Sequence, residues 1–275
     1  MHLKSTLYNL FFLKIKTLSI LVKFRLKLNL NMYTFQSILI LYLCPDSNQM
    51  ERKIIQTSDG SSSVYLPEWD ENYHSKHGAI QEAYHVFIKN GLDLFQDASK
   101  VQVLEMGFGT GLNCMITYLE AIKRELKIDY IGLEGYPLEA KMIFELNHLK
   151  QLKAEQESKE YNNIQTSDWE KPVSISPSFN LMKKEIMFED FHEKEVADLI
   201  YFDAFGARVQ PELWTETIFQ KMYEALKERG VIVTYSAKGS VRRAMQTVGF
   251  EVERLPGPPG KREMLRGTKQ SAKAI

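Results

Sequence analysis

Cysteine is scarce in this 275-residue chain: there are two, Cys44 and Cys114, in regions of very different character. A disulfide-stapled secreted scaffold is excluded, and a reducing cytoplasmic setting is expected. Long apolar runs are missing as well. The longest, such as 38–44, fall far short of the ~18 residues a membrane-spanning helix needs, so no membrane partner is expected. There is no net charge to announce a polyanionic partner, because 35 basic residues balance 35 acidic ones. Internal repeats and low-complexity tracts are also lacking. What remains is an ordinary globular composition, 44% hydrophobic and 25% charged, long enough for one α/β domain with an insertion.

Residues 1–49 read differently from the rest. They contain no glycine, and Lys4, Lys14, Lys16, Lys23, Arg25 and Lys27 face the single acid Asp46. The basic residues recur through the stretch, and no small-residue cleavage site follows one apolar block, which argues against a signal peptide. The expectation is an atypical extension, from an over-extended reading frame or a poorly ordered tail, with Met50 as the natural start and residues 50–275 as the working domain.

From residue 51 the pattern is regular. A turn-rich stretch at 57–63 precedes a helix predicted over 78–92, with Ile80, Tyr84, Phe87 and Ile88 at helical spacing. Strands are predicted at 101–106, 128–133, 179–188, 197–202 and 231–235, with a closing pair at 250–254 and 263–266. Helices are predicted at 112–122, from 137 through 152, at 211–229 and at 241–248. The segment at about 153–178 reads as an irregular insertion containing Trp169 and Pro172. Alternating strands and helices imply a Rossmann-like α/β fold, a seven-stranded, mostly parallel sheet with helices on both faces.

The first of these strands runs into Glu105-Met106-Gly107-Phe108-Gly109-Thr110-Gly111. Gly107, Gly109 and Gly111 permit positive φ, and the following helix start offers free N–H groups to an anion. The spacing departs from the dinucleotide fingerprint, and Glu105 would repel a pyrophosphate. An acid there suits a ligand with an ammonium and a sulfonium, which points to S-adenosyl-L-methionine and a class I methyltransferase. Glu134, ending the next strand, is placed for ribose hydroxyls. Asp190, with Glu189 as its rival, is placed for the adenine amino group. A glycine turn alone is often just a tight connection; acids at three successive strand ends favour the cofactor reading. Asp203, ending the fourth strand, faces the transferred methyl in such a fold. It is the candidate to orient an amine and take its proton, the bland alternative being a loop-structuring aspartate.

With these residues in hand, the chain resembles the MnmC-type methyltransferases that form 5-methylaminomethyl-2-thiouridine in tRNA. The matching stretches are Leu104-Glu-Met-Gly-Phe-Gly-Thr-Gly-Leu-Asn113, Asp198-Leu-Ile-Tyr-Phe-Asp-Ala-Phe205, Gln210-Pro-Glu-Leu-Trp214, Thr234-Tyr-Ser-Ala-Lys-Gly239 and Leu255-Pro-Gly-Pro-Pro-Gly-Lys-Arg-Glu-Met264. Upstream, Tyr73-His-Ser75, His77-Gly-Ala79, Glu82 and His85-Val-Phe87 also look like the family. The resemblance implies Asn113 beside the cofactor, and as substrate the aminomethyl group of the wobble uridine in a tRNA anticodon stem-loop. It also implies a stand-alone form, since no residues remain for the flavin-dependent oxidase fused to well-known members. Gly206 stands where the family has a proline, which puts the shape of that loop in question.

The C-terminal end is locally basic. Lys238, Arg242, Arg243, Arg254, Lys261, Arg262, Arg266, Lys269 and Lys273 outnumber Glu251, Glu253 and Glu263. Of these, Lys238, Arg242, Lys261 and Arg262 are candidates for RNA contact, and Tyr73, Phe205 and Trp214 for stacking on an extruded base. Solvated basic residues and a packing role for Trp214 are the plainer alternatives. No metal is expected, because His74, His77 and His85 lack companion ligands at metal-binding spacing. Two other readings stay open on sequence: a methyl- or aminopropyl-transferase for a small amine, and a non-catalytic module that binds cofactor or RNA.

Overall fold

The computed structural model describes residues 50–271; the expectations for residues 1–49 and Cys44 lie outside them. A small antiparallel sheet of β1 (Lys53–Gln56), β2 (Ser62–Leu66) and β3 (Glu71–Asn72) comes first. The main sheet follows with β4 (Lys100–Met106), β5 (Lys127–Glu134), β6 (Pro172–Ser176), β7 (Phe179–Glu185), β8 (Ala197–Phe202), β9 (Leu226–Thr234), β10 (Phe250–Pro256) and β11 (Glu263–Lys269). Its eight strands lie in the order β10-β11-β9-β8-β4-β5-β7-β6. The pairs β4–β5, β5–β7, β4–β8 and β8–β9 are parallel, while β6–β7, β9–β11 and β10–β11 are antiparallel. The predicted α/β fold is present, with one strand more than the seven expected.

Strand alternation sorts the side chains into two cores. Val101, Val103, Leu199 and Tyr201 enter one face, and Leu104, Met106, Ile200 and Phe202 the other. Glu105 and Asp203 continue the first series. The chain leaves β4 toward β5 and later returns from β7 to β8 on the opposite side of β4. The carboxyl ends of β4 and β8 therefore flank a topological switch point, where a doubly wound sheet opens a ligand crevice. Asp203 N–H donates to Met106 O at 2.9 Å, holding the two strand ends together.

Four predicted elements differ. The helix at 78–92 is α1 (Ala79–Ala83) followed by a wider π-helical stretch, Tyr84–Lys89, whose broad turn buries Val86, Phe87 and Ile88 in succession. The helix through 152 is split into α3 (Ala140–Phe144) and α4 (His148–Gln151), after α2 (Leu112–Lys123). The break falls at Asn147, whose Oδ1 accepts from Ser62 N–H at 2.8 Å and whose Nδ2 donates to Gly60 O at 2.9 Å. A side chain bonded to backbone in this way competes with the helix. The insertion is ordered: α5 (Ser158–Thr166) packs beside the edge strand β6, which begins at a proline, the one strand position where its missing N–H costs little. The helix at 211–229 is a 3₁₀ turn, Pro211–Trp214, then α6 (Glu216–Ala225). Its helical pattern stops early because Leu226 joins the sheet opposite Ala197. Finally α7 (Gly239–Thr247) packs under β10. No helix among the described residues is long and apolar enough to cross a membrane.

Candidate active site

The glycine loop folds back over β5. Gly107 and Phe108 N–H both donate to Leu133 O, and Gly109 N–H donates to Glu134 Oε2 at 2.9 Å. Gly107, Gly109 and Gly111 have φ of +98°, +50° and +70°, the left-handed region. Gly107 is the demanding position: a Cβ there would stand 2.8 Å from Asp203 O. Absence of a side chain lets the β8 loop close against the β4 loop. Tyr73 lies over Gly109, and Gln165 over Gly111, with Gln165 Nε2 donating to Thr110 O at 3.1 Å. The start of α2 carries no side-chain cap, leaving its first N–H groups available.

Beneath the loop, Asn113 ties two acids together. Its Nδ2 donates to Glu105 Oε1 and to Asp203 Oδ2, both at 2.8 Å. Tyr130 O–H donates to the other Glu105 oxygen at 2.8 Å. Glu105 is fully buried, and burial drives its carboxyl well above the usual range. Both of its oxygens are occupied by the chain's own donors, so it braces Asn113 from beneath. Asn113 Oδ1 is buried and has no partner, an acceptor waiting for a donor. Asp203 is half-buried. Burial first, and the charge of Glu82 second, push its carboxyl up to about 7, against the pull of Asn113 and Lys261.

Glu134 ends β5 half-buried, accepting from Gly109 and Tyr136 N–H and raised by burial. Two amide bonds leave lone pairs free on its carboxylate. Asp190 sits after β7 in the short turn Phe188–Asp190, exposed, with Glu189 exposed beside it. It does not join the buried acids. Tyr73 and Phe205 meet edge to face at 4.9 Å, and Trp69 meets Phe205 at 5.6 Å, an aromatic wall over the crevice. Trp214 is instead buried packing: its Nε1 donates to Phe205 O at 2.8 Å and its ring meets Phe202, Phe219 and Tyr235. Gly206 O accepts from Val209 and Gln210 N–H in a tight turn, and a Cβ there would meet only Tyr235 Oη at 3.7 Å, so a side chain at this position meets no clash.

Of the basic candidates, Lys238 and Arg262 are exposed and Arg242 is half-buried with Nε unpartnered. Lys261 turns inward: it pairs with Glu82 and lies over the Tyr235 ring. His74 is held between Ser63 Oγ and Thr110 Oγ1, each at 3.2 Å, and burial lowers it to about 3, so it stays neutral and links the small sheet to the glycine loop. Glu82, Tyr130, Gln165 and Tyr235 are site residues that sequence reasoning did not select. Glu82 and Tyr235 lie inside the quoted family stretches, which was the available signal.

Residues 145–270 match a family model described as S-adenosyl-L-methionine-dependent methyltransferase. The chain is 27% identical over 213 residues to the tRNA 5-methylaminomethyl-2-thiouridine biosynthesis bifunctional protein MnmC of Leptospira interrogans, covering 73% of this chain and 33% of that protein. The same-named protein of Paraburkholderia xenovorans is 27% identical over 227 residues, covering 75% and 33%. The chain thus spans about a third of the length of the curated relatives it matches. Among solved structures, MnmC2 from Aquifex aeolicus superposes with a TM-score of 0.63 at 24% identity, covering 96% of this chain and 86% of that one. Spermidine synthase from Thermotoga maritima superposes with a TM-score of 0.52 at 15% identity, covering 84% and 73%. Both likenesses show the fold alone, and the matching family model describes S-adenosyl-L-methionine-dependent enzymes.

Proposed function

We propose that this chain transfers a methyl group to the aminomethyl nitrogen of the wobble uridine in tRNA, converting 5-aminomethyl-2-thiouridine to 5-methylaminomethyl-2-thiouridine. The relatives' printed names support the substrate, and the crevice at the β4–β8 switch point supports the chemistry. The observation that carries the reading is Asp203, fixed by Asn113 at the end of β8 and shielded enough to hold a proton near neutrality.

The residues present fit the cofactor. Glu134 would take the ribose hydroxyls on its free lone pairs, and the uncapped start of α2 would take the carboxylate. The orphaned Asn113 Oδ1 would accept from the ammonium, and Asp190, exposed in the turn after β7 and apart from these groups, is proposed for the adenine amino group. When bound, S-adenosyl-L-methionine supplies an electrophilic methyl on a sulfonium.

The chain's own residues must align the amine, exclude water and remove a proton. A primary alkylammonium releases its proton near pH ~10.4, as lysine does. Against an unperturbed aspartate at ~3.9 the transfer would be uphill by more than six pKa units, ~9 kcal/mol. Against Asp203 at about 7 the gap is roughly half that. Desolvation of the ammonium in the crevice narrows it further. Asp203 thus orients the nitrogen and accepts its proton, directly or through water. The aromatic wall of Tyr73 and Phe205 would stack on the extruded base, while Lys238, Arg242 and Arg262 would meet phosphates of the anticodon stem-loop.

The test is to incubate the protein with methyl-labelled S-adenosyl-L-methionine and tRNA carrying 5-aminomethyl-2-thiouridine, then digest and identify nucleosides. Label in 5-methylaminomethyl-2-thiouridine is expected. Tight cofactor binding with no label in that nucleoside would refute the proposal.

A further inference from the structure

Lys261 turns inward toward Glu82 and Tyr235. It lies in the loop between β10 and β11, and that loop is held in shape by Gly257 N–H donating to Arg262 O and Lys261 N–H donating to Pro258 O. The lysine side chain, half-buried, points inward, while its neighbour Arg262 is exposed. Its Nζ bonds Glu82 Oε1 at 2.5 Å and stands 3.7 Å from the centroid of the Tyr235 ring. Both partners are fixed in place. Glu82 is buried, its second oxygen accepting from Ser75 N–H at 3.1 Å, and Tyr235 O–H donates to Ala204 O at 2.7 Å, one residue beyond Asp203. The Asp203 carboxyl feels the charge of both Glu82 and Lys261.

A ring face, one buried carboxylate bonded to the ammonium and a second carboxylate nearby make a cage suited to a cation on a short alkyl stem. Its occupant is a primary alkylammonium, the chemical class of the acceptor proposed above. A surface ion pair serving only the fold needs neither the ring nor the proximity to Asp203. We propose that Glu82, Tyr235 and Asp203 form the subsite for the substrate's primary ammonium, and that Lys261 fills it in the free protein until substrate displaces it. This inference rests on the reading of the acceptor as an amine. A polyanionic substrate gives the released lysine a phosphate partner beside Arg262, whereas a small free amine does not. Self-occupancy therefore weakens binding of small amines and favours an amine carried on a nucleic acid.

The test is calorimetric titration of propylammonium into the 275-residue chain with S-adenosylhomocysteine present. Lys261→Met is expected to bind the probe at least tenfold more tightly than the unaltered chain, and the double variant Lys261→Met, Glu82→Gln is expected to lose that gain. Lys261→Gln, which keeps a polar side chain, guards against misfolding and should show the same direction. Two outcomes would overturn the proposal: neither Lys261 variant gains affinity, or the gain survives Glu82→Gln. Because the probe carries no RNA, the two readings separate. A filled cage with no methyl transfer to aminomethyl-tRNA rejects the proposed reaction alone, and transfer without the cage result rejects the cage alone.

Discussion

Asp203 makes a conflict between stability and activity measurable at a single residue. Its carboxyl, raised to about 7, must be ionised to act as a base. Methyl transfer is therefore expected to rise with pH and level off above 7, falling about tenfold for each pH unit below that value in kcat/KM. Asp203→Asn should lower single-turnover transfer by roughly 10²–10⁴-fold with cofactor affinity little changed. Stability runs the other way. The folded protein holds this proton more tightly than the unfolded chain, so the group's stabilising contribution is complete below about pH 4 and lost as pH climbs through 7. In thermal melts, Asp203→Asn should raise Tm at pH 8 and have little effect at pH 4. Equal Tm changes at both pH values would contradict the assigned shift. Sequence made Glu105 and Asp203 legible because each stands at a strand end beside the glycine loop, whereas Asn113, inside α2, was reached only through the family resemblance. Glu82 and Lys261 were not legible as a pair: their contact spans 179 positions and exists only once β11 has paired with β9.

Between elements, the glycine loop and the β8 loop act as one unit. Gly107→Ala must accommodate both a positive φ and a Cβ 2.8 Å from Asp203 O. The expected cost is about 1–3 kcal/mol in chemical denaturation, from the left-handed backbone alone. Displacing Asp203 should cost more in catalysis than in binding, with kcat down by roughly 10²-fold and KM changed little. Unchanged kcat would mean that the two loops are not coupled. Strands and amphipathic helices with a clear period were readable from residue 51 on, including the closing antiparallel pair. The failures share a cause, which is tertiary contact overriding local pattern. Asn147 breaks a helix by bonding to Gly60 and Ser62, residues far away in sequence. Leu226 abandons a helical period for the sheet. In the insertion, Lys183 Nζ donates to Gln165 O at the end of α5 and sits over the Trp169 ring, pinning a segment whose own sequence carried no periodic signal.

For the whole molecule, balanced charge hides a directional surface. Lys238 and Arg262 are exposed, while Lys261 is turned inward in the free state. Binding of tRNA should weaken linearly with log salt, and replacing either exposed residue by Ala should reduce that slope by about 1. Salt-independent binding would place RNA on another face. The solved neighbours agree on the fold, which leaves the crevice and its cofactor as the claim on which everything else depends. The most direct measurement is calorimetric titration with S-adenosylhomocysteine of the unaltered chain and of Glu134→Ala. One-to-one binding, weakened at least tenfold by the substitution, is predicted; no heat of binding, or binding indifferent to Glu134, would contradict the account.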